Sequence, residues 1–197
     1  SGKYEQGKRS RAFSKMKKHS TWDCVFMGLT EPEREYTGKK LAEDKMDEWE
    51  YWEDEEPVTK PYAMGWCGGI RFGVWKPVNW KAFVEECGGK LHAEATFDQC
   101  KSLGTMYKRY DVFAKKMNYF ELVEVGVAKG LTEEMMIDLK ENWEEYLKEK
   151  RVVEIMAQEV LDEKKGSLRH PRFYRFRDDL NHDVCTWDKH IRKDENN

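Results

Sequence analysis

The sequence predicts an all-α fold, an elongated helical and coiled-coil protein with extended N- and C-terminal arms. Three observations predict it. The regular apolar patterns recur at spacings of three and four, the period of one helix face, and no alternating run stands out as a strand. From Met136 the register Met136, Leu139, Trp143, Tyr146, Lys150, Val153, Ala157, Val160 steps 3, 4, 3, 4, 3, 4, 3. That strict 3.5-residue period belongs to a coiled-coil seam, not to a core helix. The composition is poor in core material yet rich in anchors: 37% charged and 39% hydrophobic, but 13% aromatic with 8 Trp. Disordered chains lack aromatics, so these side chains are expected to be buried, many against other proteins.

Residues 1–38 read as a basic, extended N-terminal arm. Its first twenty residues carry Lys3, Lys8, Arg9, Arg11, Lys15, Lys17 and Lys18 against Glu5 alone. An acid-poor start of that kind has the composition of a mitochondrial transit segment, and Ser1-Gly2 suggests a processed terminus or a tag remnant. Residues 39–77 read as an acidic helix followed by a Gly/Trp linker. Met46, Trp49 and Trp52 form the stripe of the helix, and Pro57 and Pro61 end it. In Met64-Gly65-Trp66-Cys67-Gly68-Gly69-Ile70-Arg71-Phe72-Gly73 the glycines match neither the dinucleotide spacing nor the P-loop spacing. They are expected to turn a corner, not to cradle phosphate.

Residues 78–165 carry the clearest helix signals. Asn79 caps a helix bearing Trp80, Phe83, Val84 and Cys87, closed by Gly88-Gly89. A second helix is expected from about His92 to Lys116. Asn118 caps a third with Phe120, Val123 and Val127, stopped by Gly130. Thr132 caps the long last helix, with Leu131 and Met136 as a hydrophobic staple; about 30 residues give a rod of roughly 45 Å. Residues 166–197 read as an extended arm in which Arg169, Arg172, Arg175 and Arg177 interleave with Phe173, Tyr174 and Phe176. Such a pattern fits a protein partner or stacking on RNA bases. Asp178, Asp179 and Asp183 follow at once and favour the protein.

Nothing in the residue pattern points to catalysis. Cys24, Cys67, Cys87, Cys100 and Cys185 are scattered without a Cys-x-x-Cys pair, so neither zinc nor a disulfide framework is expected. The histidines His19, His92, His170, His182 and His190 show no helical metal-ligand spacing. His182-Asp183 beside Cys185 can be written as a thiol–imidazole site, but a surface origin is the expectation. No cofactor is expected. No apolar run approaches the roughly 20 residues of a membrane-spanning helix.

The stretch Val78-Asn79-Trp80-Lys81-Ala82-Phe83-Val84-Glu85 resembles the opening motif of subunit d of the mitochondrial ATP synthase peripheral stalk. A second element of that family is similar to Met117-Asn118-Tyr119 through Lys129-Gly130-Leu131, and a long helix follows in both. Asn79 and Asn118 stand where the family usually has Asp. The resemblance covers residues 78–165 and implies a non-catalytic stator subunit at the matrix side of the mitochondrial inner membrane. Its partners would be stalk subunits such as the helices of subunit b, with nucleic acid not expected. Trp80, Phe83, Trp143, Tyr146, Val153, Arg172, Phe173, Tyr174 and Phe176 are the expected partner-binding residues. The alternatives are an accessory subunit of another respiratory complex and a mitoribosomal or RNA-binding protein.

Overall fold

A computed structural model of the chain describes residues 19–36 and 49–192, and it overturns the all-α, coiled-coil expectation. In chain order the elements begin with β1 (Ser20–Thr30), the small hairpin β2 (Trp52–Glu53) and β3 (Glu56–Pro57), and the single turn α1 (Lys60–Ala63). Then come β4 (Gly69–Val78), the helical pair α2 (Trp80–Glu86) and α3 (Lys90–Ser102), and the long hairpin β5 (Met106–Asp111) and β6 (Lys116–Ala128). The helix α4 (Glu133–Glu149), β7 (Val152–Ala157), the hairpin β8 (Val160–Asp162) and β9 (Ser167–Leu168), β10 (Arg172–Phe176) and α5 (Trp187–Ile191) complete the chain.

Six of the strands form one antiparallel sheet in the order β10-β7-β1-β4-β6-β5. The sheet curls until the end of β6 reaches β10, where the Phe173 amide donates to the Lys129 carbonyl at 3.0 Å. The main core lies on one face. Trp22, Cys24 and Phe26 of β1, Ile70, Phe72 and Val74 of β4, and Val153, Ile155 and Ala157 of β7 meet Leu139 of α4 and Trp187 of α5 there. A smaller cluster of Val25, Trp75, Phe120, Val152 and Cys185 fills the other face.

Each departure from the helical reading has a physical cause. The expected N-terminal arm contains the central strand, since Trp22, Cys24 and Phe26 alternate along β1 and are fully enclosed. The basic residues 1–18 lie outside the described residues, as do residues 39–48 of the acidic helix. The remainder of that helix is the β2–β3 hairpin. Asp54 and Glu55 take left-handed φ of 49° and 64°, as a two-residue hairpin turn requires. The helix expected after Asn118 is β6, where β-branched Val123 and Val125 turn to the main core. Phe120 belongs to the smaller cluster on the opposite face, so the spacing of three between Phe120 and Val123 joins the two faces of a strand and imitates one face of a helix. Only the start of the glycine stretch, residues 64–68, is a corner; the rest, expected as linker, is β4, which lies inside the sheet between β1 and β6. A Cβ on Gly68 would sit 2.3 Å from the Glu31 carbonyl oxygen, and one on Gly73 would sit 2.4 Å from the Val123 oxygen. These glycines let backbones approach, which side chains would prevent.

Local signals fared better. Asn79 Oδ1 accepts from the Ala82 amide at 3.3 Å and Thr132 Oγ1 from the Met135 amide at 3.3 Å, so both caps form where expected. The long helix nevertheless stops at Glu149. Lys150 adopts φ 53° and ψ 47°, the left-handed cap, and the chain turns into β7. Trp143 and Tyr146 pack against the core of their own sheet, not along a seam. The expected C-terminal arm is likewise folded into β10, a 3-10 turn at His182–Val184 and α5.

The cap at Lys150 separates the two readings experimentally. Left-handed backbone costs a non-glycine residue about 1 kcal/mol, so Lys150→Gly should stabilise the protein by about that amount in urea unfolding. Lys150→Leu should bring no gain. A continuous seam helix would give the opposite ranking, because mid-helix glycine is destabilising.

Candidate functional site

The β5–β6 hairpin and the C-terminal segment border a groove of about 900 Å³. Three separate parts of the chain bring side chains to it. α2 supplies Trp80 and Lys81, the hairpin supplies Arg109, Lys116, Asn118 and Tyr119, and the C-terminal segment supplies Asp183, Thr186, Asp188 and Lys189. Four bases thus converge on two acids, and Asp183 is already engaged by Arg109 Nη1 at 3.5 Å. The aromatic wall is closely packed. Trp80 lies flat on Tyr119, with ring centroids 4.0 Å apart and planes within 9°, while Phe83 stacks against Trp80 at 5.4 Å. Phe97 of α3 meets the edges of Trp80 and Tyr119.

Beyond the groove the hairpin ends in an apolar tip. Asp111 Oδ1 accepts from the amides of Phe113 and Ala114, both at 2.9 Å. These amides, first that of Ala114, hold its carboxyl below the usual range. The turn is therefore fixed by its own acid, and it presents Phe113 with 100% and Val112 with 72% of their surface exposed. Directly behind them Tyr110 and Met117 face each other across the ladder, and both are exposed. Lys108, Arg109, Lys115 and Lys116 are the bases of this part of the hairpin, Lys108 lying over Phe97 and Arg109 pairing with Asp183, and Asp111 is the one acid between Met106 and Tyr119.

Under the base of the hairpin sits a closed aromatic nest. Tyr107 stacks on Phe120 at 4.8 Å and meets the edge of Trp75 at 4.6 Å. Trp75 Nε1 donates to His182 Nδ1 at 3.1 Å, so the neutral ring carries its proton on Nε2. Burial, together with the charge of Lys150, holds the His182 pKa below its ordinary value, against the opposite pull of Asp183. The Tyr107 hydroxyl is enclosed without a hydrogen-bond partner, and burial raises its pKa. Cys185 is buried, and its thiol is pushed up to about 12, chiefly by that burial. The three residues that can be written as a thiol–imidazole site thus have other engagements: His182 with Trp75, Asp183 with Arg109, Cys185 within the core.

The sequence-predicted partner residues divide by location. Trp80 lines the groove, and Phe83 stacks on it. Trp143, Tyr146, Phe173 and Phe176 pack against the main core, and Val153 lies fully inside it, which denies it any partner. Only Arg172 and Tyr174 among the nine are exposed. The hairpin tip was hidden in the sequence because Tyr107, Tyr110, Ala114 and Met117 also fall three or four apart. The available signal was an Asp followed by apolar residues between two pairs of bases. Among the described residues no His, Cys, Asp and Glu side chains gather as metal ligands, and no helix is long and apolar enough to cross a membrane. Comparison of the chain with family models, curated proteins and solved structures finds no match.

Two outcomes follow from the nest. Tyr107→Phe removes a buried hydroxyl that lacks a partner and keeps the stacked ring. It should raise stability by about 1 kcal/mol in urea unfolding. For His182 the folded pKa lies below the unfolded value of 6.5. Its contribution is therefore present above pH 6.5 and lost as the pH falls through the folded pKa. Thermal melts should show stability dropping on acidification below that point, with a smaller drop in His182→Gln.

Proposed function

We propose that this chain is a non-catalytic docking module that attaches peripherally to an anionic membrane surface through the β5–β6 hairpin. The observation that carries this reading is the tip itself, a fully exposed Phe113 beside exposed Val112, held by Asp111 at the end of a hairpin that bears four bases. A chain of net charge −3 gathers Lys108, Arg109, Lys115 and Lys116 against one acid, Asp111, in the outer part of this hairpin between Met106 and Tyr119. The bases stand on both faces of the ladder, since successive strand residues point to opposite sides. A protein pocket would engage one face of the hairpin. A bilayer accepts apolar side chains at the turn and meets cations on every side, each adding about 1 kcal/mol near anionic lipid. The stator role expected from the resemblance relied on a helix at 118–131 and a seam continuing to residue 160. Strands β6 and β7 occupy much of those segments, and the stator role forms no part of the proposal.

Co-sedimentation with vesicles tests the reading. The protein should bind vesicles containing phosphatidylserine and show little binding to neutral phosphatidylcholine. Burying a Phe side chain contributes about 1.5–3 kcal/mol, so Phe113→Ala should weaken binding by about tenfold or more. Lys108→Ala and Lys115→Ala should each weaken it by about fivefold, and raised salt should weaken it further. Equal binding to neutral vesicles, or a Phe113→Ala protein that binds as well as the original, would overturn the proposal.

A further inference from the structure

The groove beside the tip is positioned to do more than support the hairpin. We infer that it is a binding site for a phosphorylated polyanion, held by Lys81, Arg109, Lys116 and Lys189. The inference rests on the membrane reading only for the source of the phosphate, a lipid headgroup in place of a soluble phosphate ester.

Three observations carry it. First, the bases come from three separate parts of the fold: Lys81 from α2, Arg109 and Lys116 from the hairpin, and Lys189 from α5. Against these four bases the lining sets two acids, Asp183 and Asp188, so four positive less two negative charges leave a surplus of two that a multiply charged anion can neutralise. Second, the cavity of about 900 Å³ falls within the range of ligand sites. Asn118 and Thr186 lie on its wall and offer polar contacts suited to a hydroxyl-rich ring. Third, the aromatic wall argues against a nucleobase. One face of Trp80 is occupied by Tyr119 and the ring also stacks with Phe83, whereas stacking on nucleic acid needs an open ring face. The Arg109–Asp183 pair at 3.5 Å is long and exposed. A phosphate can therefore share the guanidinium without breaking a tight bond, and a guanidinium fork matches its oxygens.

The test uses the full chain with soluble inositol 1,4,5-trisphosphate, inorganic phosphate and a single-stranded oligonucleotide as probes, read by calorimetry. Inositol trisphosphate should bind, and the double variant Lys81→Ala/Lys189→Ala should lose at least tenfold in affinity. Phe113→Ala should bind this soluble probe as well as the original protein does, so failure of the groove and failure of the tip are distinguishable. The source of the phosphate is read by vesicles of equal charge. Tighter binding to vesicles with phosphatidylinositol bisphosphate than to matched phosphatidylserine vesicles assigns the groove to a headgroup. No such preference, with soluble binding intact, assigns it to a soluble phosphate ester. The inference is overturned if inositol trisphosphate does not bind, if the double variant binds it equally, or if the oligonucleotide binds more tightly. Near-identical melting curves for the double variant and the original chain would show that its fold is preserved.

Discussion

The burial of β1 on both faces is the constraint on which the rest of the structure depends. Trp22, Cys24 and Phe26 turn to the main core while Val25 turns to the smaller one. A strand enclosed on both sides cannot be an edge, and β7 and β4 pair with it from opposite sides. The C-terminal segment is fastened to the same strand. Trp22 Nε1 donates to the His190 carbonyl at 3.1 Å, and the His190 ring reaches the Gly166 carbonyl through Nε2 at 2.6 Å. One strand thus fixes both the sheet order and the place of α5, which forms one wall of the groove.

Charge completes what packing begins on the outer side of the sheet. Burial alone would raise the Glu154 pKa, but the Arg175 guanidinium, at 2.6 Å, and nearby Arg177 hold it below its usual value. Arg177 also meets Asp23 of β1 at 3.2 Å and Asp179 at 2.7 Å. A nearly enclosed carboxylate requires such partners, because losing one leaves a buried charge uncompensated. This network joins β1, β7 and the segment after β10, so the Arg-rich stretch that reads as an interaction arm acts mainly inside the molecule. Arg172 and Tyr174 are left to face outward.

What the sequence disclosed was local. The caps at Asn79 and Thr132 depend on a few neighbouring atoms and formed as read, whereas Gly68 marks a corner and Gly73 lies inside β4, where it lets the Val123 backbone approach. The sheet was not legible in the same way, because its pairings join residues far apart in the chain. Trp22-Cys24-Phe26 does alternate, but a basic flank suggested an arm. Val123 and Val125 alternate as well, but both faces of β6 carry apolar residues, so Phe120, Val123 and Val127 could be read as one helical stripe. The heptad across Lys150 shows the same limit. Periodicity does not record that one residue takes left-handed backbone, and that single turn converts half of a supposed rod into a core strand. Trp80 and Phe83 were read as anchors for a partner, yet they stack on each other, and Trp80 meets Tyr119 and Phe97 of its own chain.

The placement of the candidate site follows from that architecture. The main core belongs to β1, β4, β7 and α4, whereas the tip lies at the far end of the edge hairpin, where Val112 and Phe113 contribute nothing to burial. Exposed apolar side chains cost solubility, and a turn with ordinary polar residues would close this hairpin as well. The hairpin is also braced beyond what an edge needs. α3 packs beside β5, Phe97 supports Tyr119, and the Lys108 ammonium lies over the Phe97 ring at 5.5 Å. Support of this kind fixes the direction of the tip without burying it. Fold stability and surface attachment thus reside in different residues, and in the groove between them the body and the hairpin share side chains, namely Arg109 and Lys116.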